Sequence, residues 1–496
     1  MTDPPALLFP SERLPDDPAV ARLLGIYPQR RQGLFMQRVR IPGGRLGLTQ
    51  WRAIARLADR YTPDNAVHLT TRQDIELHGL SREDVPAVQR GLCEAGLSTV
   101  GACGDTLRNV TVCPGCGLCP GSVEVSGLAE VIRRSAESLP WIRTLPRKFK
   151  VSLSGCPEAC ARPFINDVGF VAYGERGFQA VVGGSLGPRP GTGIPYPREL
   201  ASAEVVPFVV AALHLFHREG DRTNRSRARL RHVRERLGDE AFLHRLTERF
   251  EYESRTLSWP VPFVPPAASG AVERLCRLRP PLGDVAPAIA LDLADRLEAV
   301  EAELRIGFGH DLLLFGRSAP ALDRTLRSWT RAPCVVACPG STFCAKGIVD
   351  SRAAASEVCR TLPEGCGATV CVSGCPNNCA QSSIADIGLI GCVRTINGVR
   401  TACYRVVAGG GHAKNAVLGR ERFAAVPANE VPHVVSRLAE ELTAATLPRH
   451  SPPVGRCVAD LGGSSERSRT GGMVQKRGLT SEPTLDYDPE NGFRRG

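Results

Sequence analysis

The chain has 496 residues, room for roughly two to four domains, with 43% hydrophobic residues and a formal charge of +11 from 62 Lys and Arg against 51 Asp and Glu. Its basic residues are spread along the sequence and only 5% of residues are aromatic, so no stacking surface for nucleic acid stands out; an acidic protein partner or an anionic ligand suits the surplus better. No apolar run is long enough to span a bilayer, and the opening MTDPPALLFPSERLPDD lacks the basic head and apolar core of an export signal. A cytoplasmic location without membrane partners is expected, where 19 cysteines point to metal ligation rather than disulfides.

After a Pro-rich lead-in, Leu34–Ile41 alternates as a strand that Pro42-Gly43-Gly44 ends. Thr49 is an N-cap candidate for a helix to about Tyr61, with Trp51, Ile54, Leu57 and Ala58 at helical spacing. Val67–Arg72 and Asp74–His78 follow as strands, and Ser81–Ala95 as a helix, a β-α-β-β-α order that predicts helices against one face of a sheet. Beyond Cys113-Pro-Gly-Cys116-Gly-Leu-Cys119 comes a helix over about 126–138, then Cys156-Pro-Glu-Ala-Cys160, a Gly-rich turn at Val181–Gly187, and a helical, increasingly basic stretch over 203–250. A proline-rich linker is expected at Trp259–Pro266, and a disordered tail from about Ser451, where no hydrophobic period remains.

The chain then repeats itself. Cys113, Cys119, Cys156 and Cys160 match Cys338, Cys344, Cys375 and Cys379; Asn166-Asp-Val-Gly169 matches Ala385-Asp-Ile-Gly388; Val181-Val-Gly-Gly matches Val406-Val-Ala-Gly. Asp74–Gly79 has a weak echo in Asp311–Gly316, so two halves offset by roughly 220–240 residues predict a duplicated, pseudo-twofold core. In Cys338-Pro-Gly-Ser-Thr-Phe-Cys344 and Cys375-Pro-Asn-Asn-Cys379, two close pairs of thiols can converge on one metal centre. A [4Fe–4S] cube takes four thiolates, whereas zinc ribbons usually have two-residue gaps; the wider gaps favour the cluster, and inert buried thiols are the plainer alternative.

With these residues in view, the chain resembles the sulfite and nitrite reductases that couple sirohaem to a [4Fe–4S] cluster. The anchors are Phe35–Gly44, Thr70-Thr-Arg-Gln73, Asp105–Val110, Leu145-Pro-Arg-Lys-Phe-Lys150 and the Cys338–Cys379 set, and the likeness covers most of positions 25–445. It implies an α+β, duplicated pseudo-twofold architecture. Residues 1–96 would hold the lead-in and a first ferredoxin-like half-domain, and 97–258 a first cluster-type domain. Residues 259–325 would hold the linker and second half-domain, 326–450 the second sirohaem and cluster domain, and 451–496 the tail. It implies that Cys338, Cys344, Cys375 and Cys379 hold the cube, with Cys379 bridging to the sirohaem iron, and that Arg72, Arg108, Lys148 and Lys150 hold an oxyanion. Opposite those four the second half has Gly309, Pro333, Gly367 and Thr369, which predicts one catalytic centre, formed by the later cluster beneath the earlier cations.

Arg38, Arg40, Gln73 and Arg225 are candidates for the carboxylates of the tetrapyrrole by motif location, and Gly183, Gly184 and Gly187 for a close backbone approach to it, plain turn glycines being the alternative. Single-chain members usually lack cluster cysteines in the first half, so intact Cys113, Cys119, Cys156 and Cys160 predict a second [4Fe–4S] cluster, against vestigial thiols, ligation through Cys116, or a second, non-catalytic sirohaem. Cys103, five residues before Arg108, approaches the anion site or is an ordinary buried thiol, and His78 is read as packing. Lys148-Phe-Lys150 carries a second ammonium that suits dianionic sulfite better than nitrite, so reduction of sulfite to sulfide is expected, with nitrite reduction to ammonia as the alternative. No Gly-x-Gly-x-x-Gly opens a helix after a strand, so electrons are expected from an external carrier such as an acidic ferredoxin. A precorrin-3B synthase-like monooxygenase and a non-catalytic iron–sulfur protein are the rival classes; the four cations argue against the first and are left without a use by the second.

Overall fold

The computed structural model describes residues 13–62, 66–173, 177–256, 258–259, 272–414 and 416–445, together with 487–488 and 492–493, which pair as two short strands. Most of the expected linker and tail lies outside the described residues.

Two five-stranded sheets carry the duplication. The first orders Thr111–Val112, Val151–Ser154, Val168–Ala172, Phe178–Val182 and Ile194–Leu200; the second orders Cys334–Ala337, Thr369–Ser373, Ile387–Ile396, Val399–Ala408 and Arg420–Pro427. In each, the first three strands run parallel and the last two antiparallel. Helix Ser126–Glu137 in one copy corresponds to Ser351–Thr361 in the other, and Ser202–Glu219 to Val431–Ala445. The strands read as runs of buried apolar residues, such as Val168–Ala172, because sheet and helices leave them little open face. After Ser202–Glu219 the first copy continues into Leu230–Leu237 and Asp239–Thr256, so the stretch expected to be helical over 203–250 is three helices.

The other two sheets are antiparallel, and each borrows from the opposite half. Ile26–Pro28, Phe35–Val39, Ile75–Leu80 and Val67–Leu69 form a sheet whose last strand is Asp284–Val285 of the second half. Glu273–Leu278, Leu312–Gly316 and Glu303–Ile306 form the other, and Arg45 of the first half bridges to its Arg305. Helices Leu48–Tyr61 and Pro287–Glu298 pack together, the Trp51 indole donating to the Ala290 carbonyl at 2.8 Å, so both sheets share one hydrophobic core. The first of these helices begins at Leu48 rather than after Thr49: Gly47 is the N-cap, and its N–H donates to the Gln50 side chain at 3.0 Å.

The duplication extends to backbone strain. Gln73, Ala159 and Arg162 have positive φ of 60°, 54° and 57°, and their counterparts His310, Asn378 and Gln381 have 56°, 58° and 66°. Non-glycine residues enter this region rarely, so paired occurrences mark turns retained from a common ancestor. Arg162 and Gln381, which occupy equivalent positions, touch: the Arg162 guanidinium donates to the Gln381 side-chain oxygen, which puts the pseudo-dyad between them.

Candidate active site

The turn Thr70–Gln73 of the first half reaches the loop that follows Cys375 in the second. The Thr71 hydroxyl donates to the Cys379 carbonyl at 3.1 Å, and the Gln381 amide donates to the Thr71 carbonyl at 3.2 Å. Arg72 is aimed from this turn; its guanidinium donates to the Asn166 side chain at 3.0 Å and to the Asn109 carbonyl, while its Nε is buried without a partner. Arg108 leaves the neighbouring strand edge, where its N–H donates to the Phe149 carbonyl, and its side chain is wrapped by the Ala102 and Gly104 carbonyls. Lys148 and Lys150 flank Phe149, whose buried ring holds the segment against the core.

Positive charge dominates here. Burial pushes Arg72 down to about 9, with Arg108 and Arg229 adding repulsion against the attraction of Asp74 and Asp167. Burial also pushes Lys148 down to about 7, and the groups bearing on it are Cys379, Arg108, Arg229 and Arg147, none of them a carboxylate. Lys150 is likewise held well below the usual lysine range by burial, with Arg72, Lys148 and Arg229 adding repulsion. A cluster of buried cations short of counter-charge is an anion site, since an arriving anion relieves the cost of keeping positive charge out of water.

Cys379 bears electrostatically on Cys338, Cys344 and Cys375, so the four thiols form one neighbourhood. The Cys338 sulfur accepts the Gly374 N–H at 3.1 Å and lies 3.5 Å from the Ser351 hydroxyl, contacts that suit a thiolate ligand of a cluster. In the first copy the Cys113 sulfur accepts the Gly155 N–H at the same 3.1 Å, and Cys119, Cys156 and Cys160 are mutual neighbours. Cys116 sits in the same group, hydrogen-bonded with Cys113 and bearing on Cys119, and its sulfur also lies 3.4 Å from the Glu124 carboxylate and 3.8 Å from Arg45. Among the described residues no three His, Cys, Asp or Glu side chains converge closely enough to hold a single metal ion.

Several residues expected at the tetrapyrrole have other work. Gln73 is fully buried and its amide is used up, donating to the Val112 and Ile306 carbonyls at 2.9 Å and accepting the Val112 N–H, so it pins the halves together. Arg40 is buried against Glu137 and the Val100 and Arg108 carbonyls, a strut behind Arg108. Gly183 and Gly184 make a turn whose N–H groups donate to Asp167 and Asn166, and a Cβ on Gly184 would lie 2.1 Å from the Phe164 carbonyl oxygen. Gly409 and Gly410 repeat this turn in the copy that lacks the cations, so the glycines serve the chain's own packing. Gly187 has φ +125° and open space where a Cβ would stand. Arg38 is paired with Glu76, Nε to Oε1 2.9 Å, and lies beside Cys103; Arg225 is exposed and paired with Asp105 at 2.8 Å. His78 packs on Phe343 and its Nδ1 accepts from the Gln29 amide at 2.9 Å, beside the Cys344 loop. Sequence reasoning missed Asp167 and Arg229, a buried ion pair at the pocket; the Asn166-Asp-Val-Gly169 repeat held the signal for the first, and nothing marked the second.

Residues 103–254 and 329–440 match the family described as nitrite and sulphite reductase 4Fe-4S domain, and residues 27–95 match the nitrite/sulfite reductase ferredoxin-like half domain. The chain belongs to the nitrite and sulfite reductase family, and is an oxidoreductase whose family implies sirohaem and a [4Fe–4S] cluster. It is 29% identical over 412 residues to a chloroplastic ferredoxin–nitrite reductase of Zea mays, covering 75% of this chain and 72% of the relative. It is 29% identical over 483 residues to an assimilatory ferredoxin-dependent nitrite reductase of Haloferax mediterranei, covering 85% and 81%. The solved NirA protein of Mycobacterium tuberculosis matches with a TM-score of 0.71 at 25% identity, covering 86% of this chain and 89% of that one. No helix among the described residues is long and apolar enough to cross a membrane.

Proposed function

We propose that the chain reduces nitrite to ammonia with electrons from ferredoxin, at one centre shared by the two halves. The observation that carries this reading is the hydrogen bonding of the Thr71 turn to Cys379 and Gln381, which brings Arg72 and its cationic neighbours over the second half's thiols. The relatives of Zea mays and Haloferax mediterranei, both nitrite reductases, weigh toward nitrite and against the initial preference for sulfite. Sulfite remains the second reading, favoured by the second lysine of Lys148-Phe-Lys150, whose charged form a bound dianion would stabilise against its cationic neighbours.

Cys338, Cys344, Cys375 and Cys379 would hold the cluster, with Cys379 toward the sirohaem, and these groups would supply electrons one at a time to the substrate anion. Arg72, Lys148 and Lys150 bind and orient the anion and stabilise charge as it shifts during reduction, with Arg108 adding its field from within its loop. Arg38 and Arg225 remain candidates for the macrocycle's carboxylates at the rim. Cys113, Cys119, Cys156 and Cys160 would hold a second cluster, supported by the repeated N–H to sulfur bond at Cys113. An acidic ferredoxin fits the +11 charge. Anaerobically purified protein should reduce nitrite with reduced ferredoxin or methyl viologen; a chain that turns over neither nitrite nor sulfite would refute the reading.

A further inference from the structure

The two copies use one aspartate alike and then diverge. In the second, the Asp386 carboxylate accepts the Thr369 N–H at 2.8 Å; in the first, the Asp167 carboxylate accepts the Lys150 N–H at 2.8 Å. Each tethers the start of the strand that leads to the cluster loop. Asp386 is pushed up by burial, and the influences that act against it are hydrogen bonds, chiefly from Thr369, with no cation among them. Asp167 is fully buried and is gripped by Arg229, Nε to Oδ1 at 3.2 Å and Nη2 to Oδ2 at 2.6 Å.

Arg229 comes from the segment after Ser202–Glu219, which has no described counterpart after Val431–Ala445. Among the described residues, this arginine stands only in the half that keeps the anion-binding cations. Gly309, Pro333, Gly367 and Thr369 of the other half offer Asp386 no cation to neutralise. Arg229 also lies near enough to repel Arg72, Lys148 and Lys150.

We propose that Arg229 is a positioning and specificity-determining residue: by pairing with Asp167 it limits the pull of that carboxylate on Arg72 and Lys150, and so keeps the pocket open to an oxyanion. Asp167 is retained because its Oδ2 fixes the Lys150 backbone. An unpaired buried carboxylate would seek the nearest cations, which are those the substrate needs. The inference rests on the anion-site reading and adds to it the pair that sets the pocket's charge.

The test is Arg229→Gln in the full chain purified with its cofactors, assayed for nitrite and sulfite reduction with reduced methyl viologen. The KM for the anion should rise about tenfold or more while kcat changes by less than about threefold, and equilibrium nitrite binding followed in the visible spectrum should weaken in parallel. The double variant Arg229→Gln/Asp167→Asn, which leaves no bare carboxylate, should recover KM to within about threefold of wild type. A single variant with unchanged KM, or a double variant no better than the single, overturns the proposal. Where the single variant does not fold, the double variant decides alone: recovered KM supports the proposal, and a KM still raised about tenfold overturns it. A wild-type chain inactive on both anions overturns the functional reading instead.

Discussion

Gln381 is one of the side chains through which the halves hold one another at the site, beside Thr71 and Gln73, and replacing it with leucine tests that directly. Its amide donates to the Thr71 carbonyl at 3.2 Å and its oxygen accepts from the Arg162 guanidinium, all within a buried contact. Leucine has similar bulk but leaves a buried carbonyl and a buried guanidinium each short of a partner. At about 1–3 kcal/mol for each group, more for the charged one, and less a gain from the added apolar burial, the net cost is about 3 kcal/mol. Since Thr71 also ties Cys379 and precedes Arg72, kcat/KM for the anion should fall by about tenfold or more. Gln381→Glu keeps an acceptor for Arg162 and should lose less stability. Urea unfolding followed by far-UV circular dichroism reads the first quantity, and the viologen assay the second. A leucine variant within about 0.5 kcal/mol of wild type and fully active would refute the idea that this contact sets the two halves in register.

Other outcomes follow from the same geometry. Burial alone would raise Asp284, but the hydrogen bond with His68 and the charge of Arg352 outweigh it and bring its pKa to about 2. A depressed carboxylate stabilises above its unfolded value near 4 and gives that up as pH falls toward 2, so Asp284→Asn should cost about 2 kcal/mol at pH 7 and at pH 5 alike. Urea titrations whose gap closes already at pH 5 would contradict this. Lys150→Asn removes one ammonium from the pocket and should raise the ratio of nitrite to sulfite turnover; an unchanged ratio would mean Lys150 does not set the preference. Trp51→Ala empties the junction between the helices Leu48–Tyr61 and Pro287–Glu298 and should cost about 3–5 kcal/mol in the same urea assay, while a smaller loss would mean the two sheets do not share one core.

The duplication was legible because paired cysteines, Asn166-Asp-Val-Gly169 and the Gly-rich turns recur in order, and the sheets repeat strand for strand. The exchange of strand Asp284–Val285 between halves was not, since two residues carry no periodicity and their partner His68 is distant in sequence. At the site, motif positions located Arg72, Lys148 and Lys150 because their neighbours are distinctive. Arg40 and Gln73 share those motifs yet face inward as struts, a difference set by which side of a strand or turn each side chain leaves, and by buried carbonyls that require donors. Arg229 escaped notice for the opposite reason: one arginine in a basic helical stretch has no local mark until the fold brings it to Asp167.

The central claim, that the Cys379 thiolate joins the cluster to sirohaem beneath cations of the other half, is tested most directly by the visible spectrum of anaerobically purified Cys379→Ser beside wild type. Wild type should show sirohaem absorption that responds to nitrite, and the variant should lose that absorption or its response. A variant that keeps both unchanged would contradict the account.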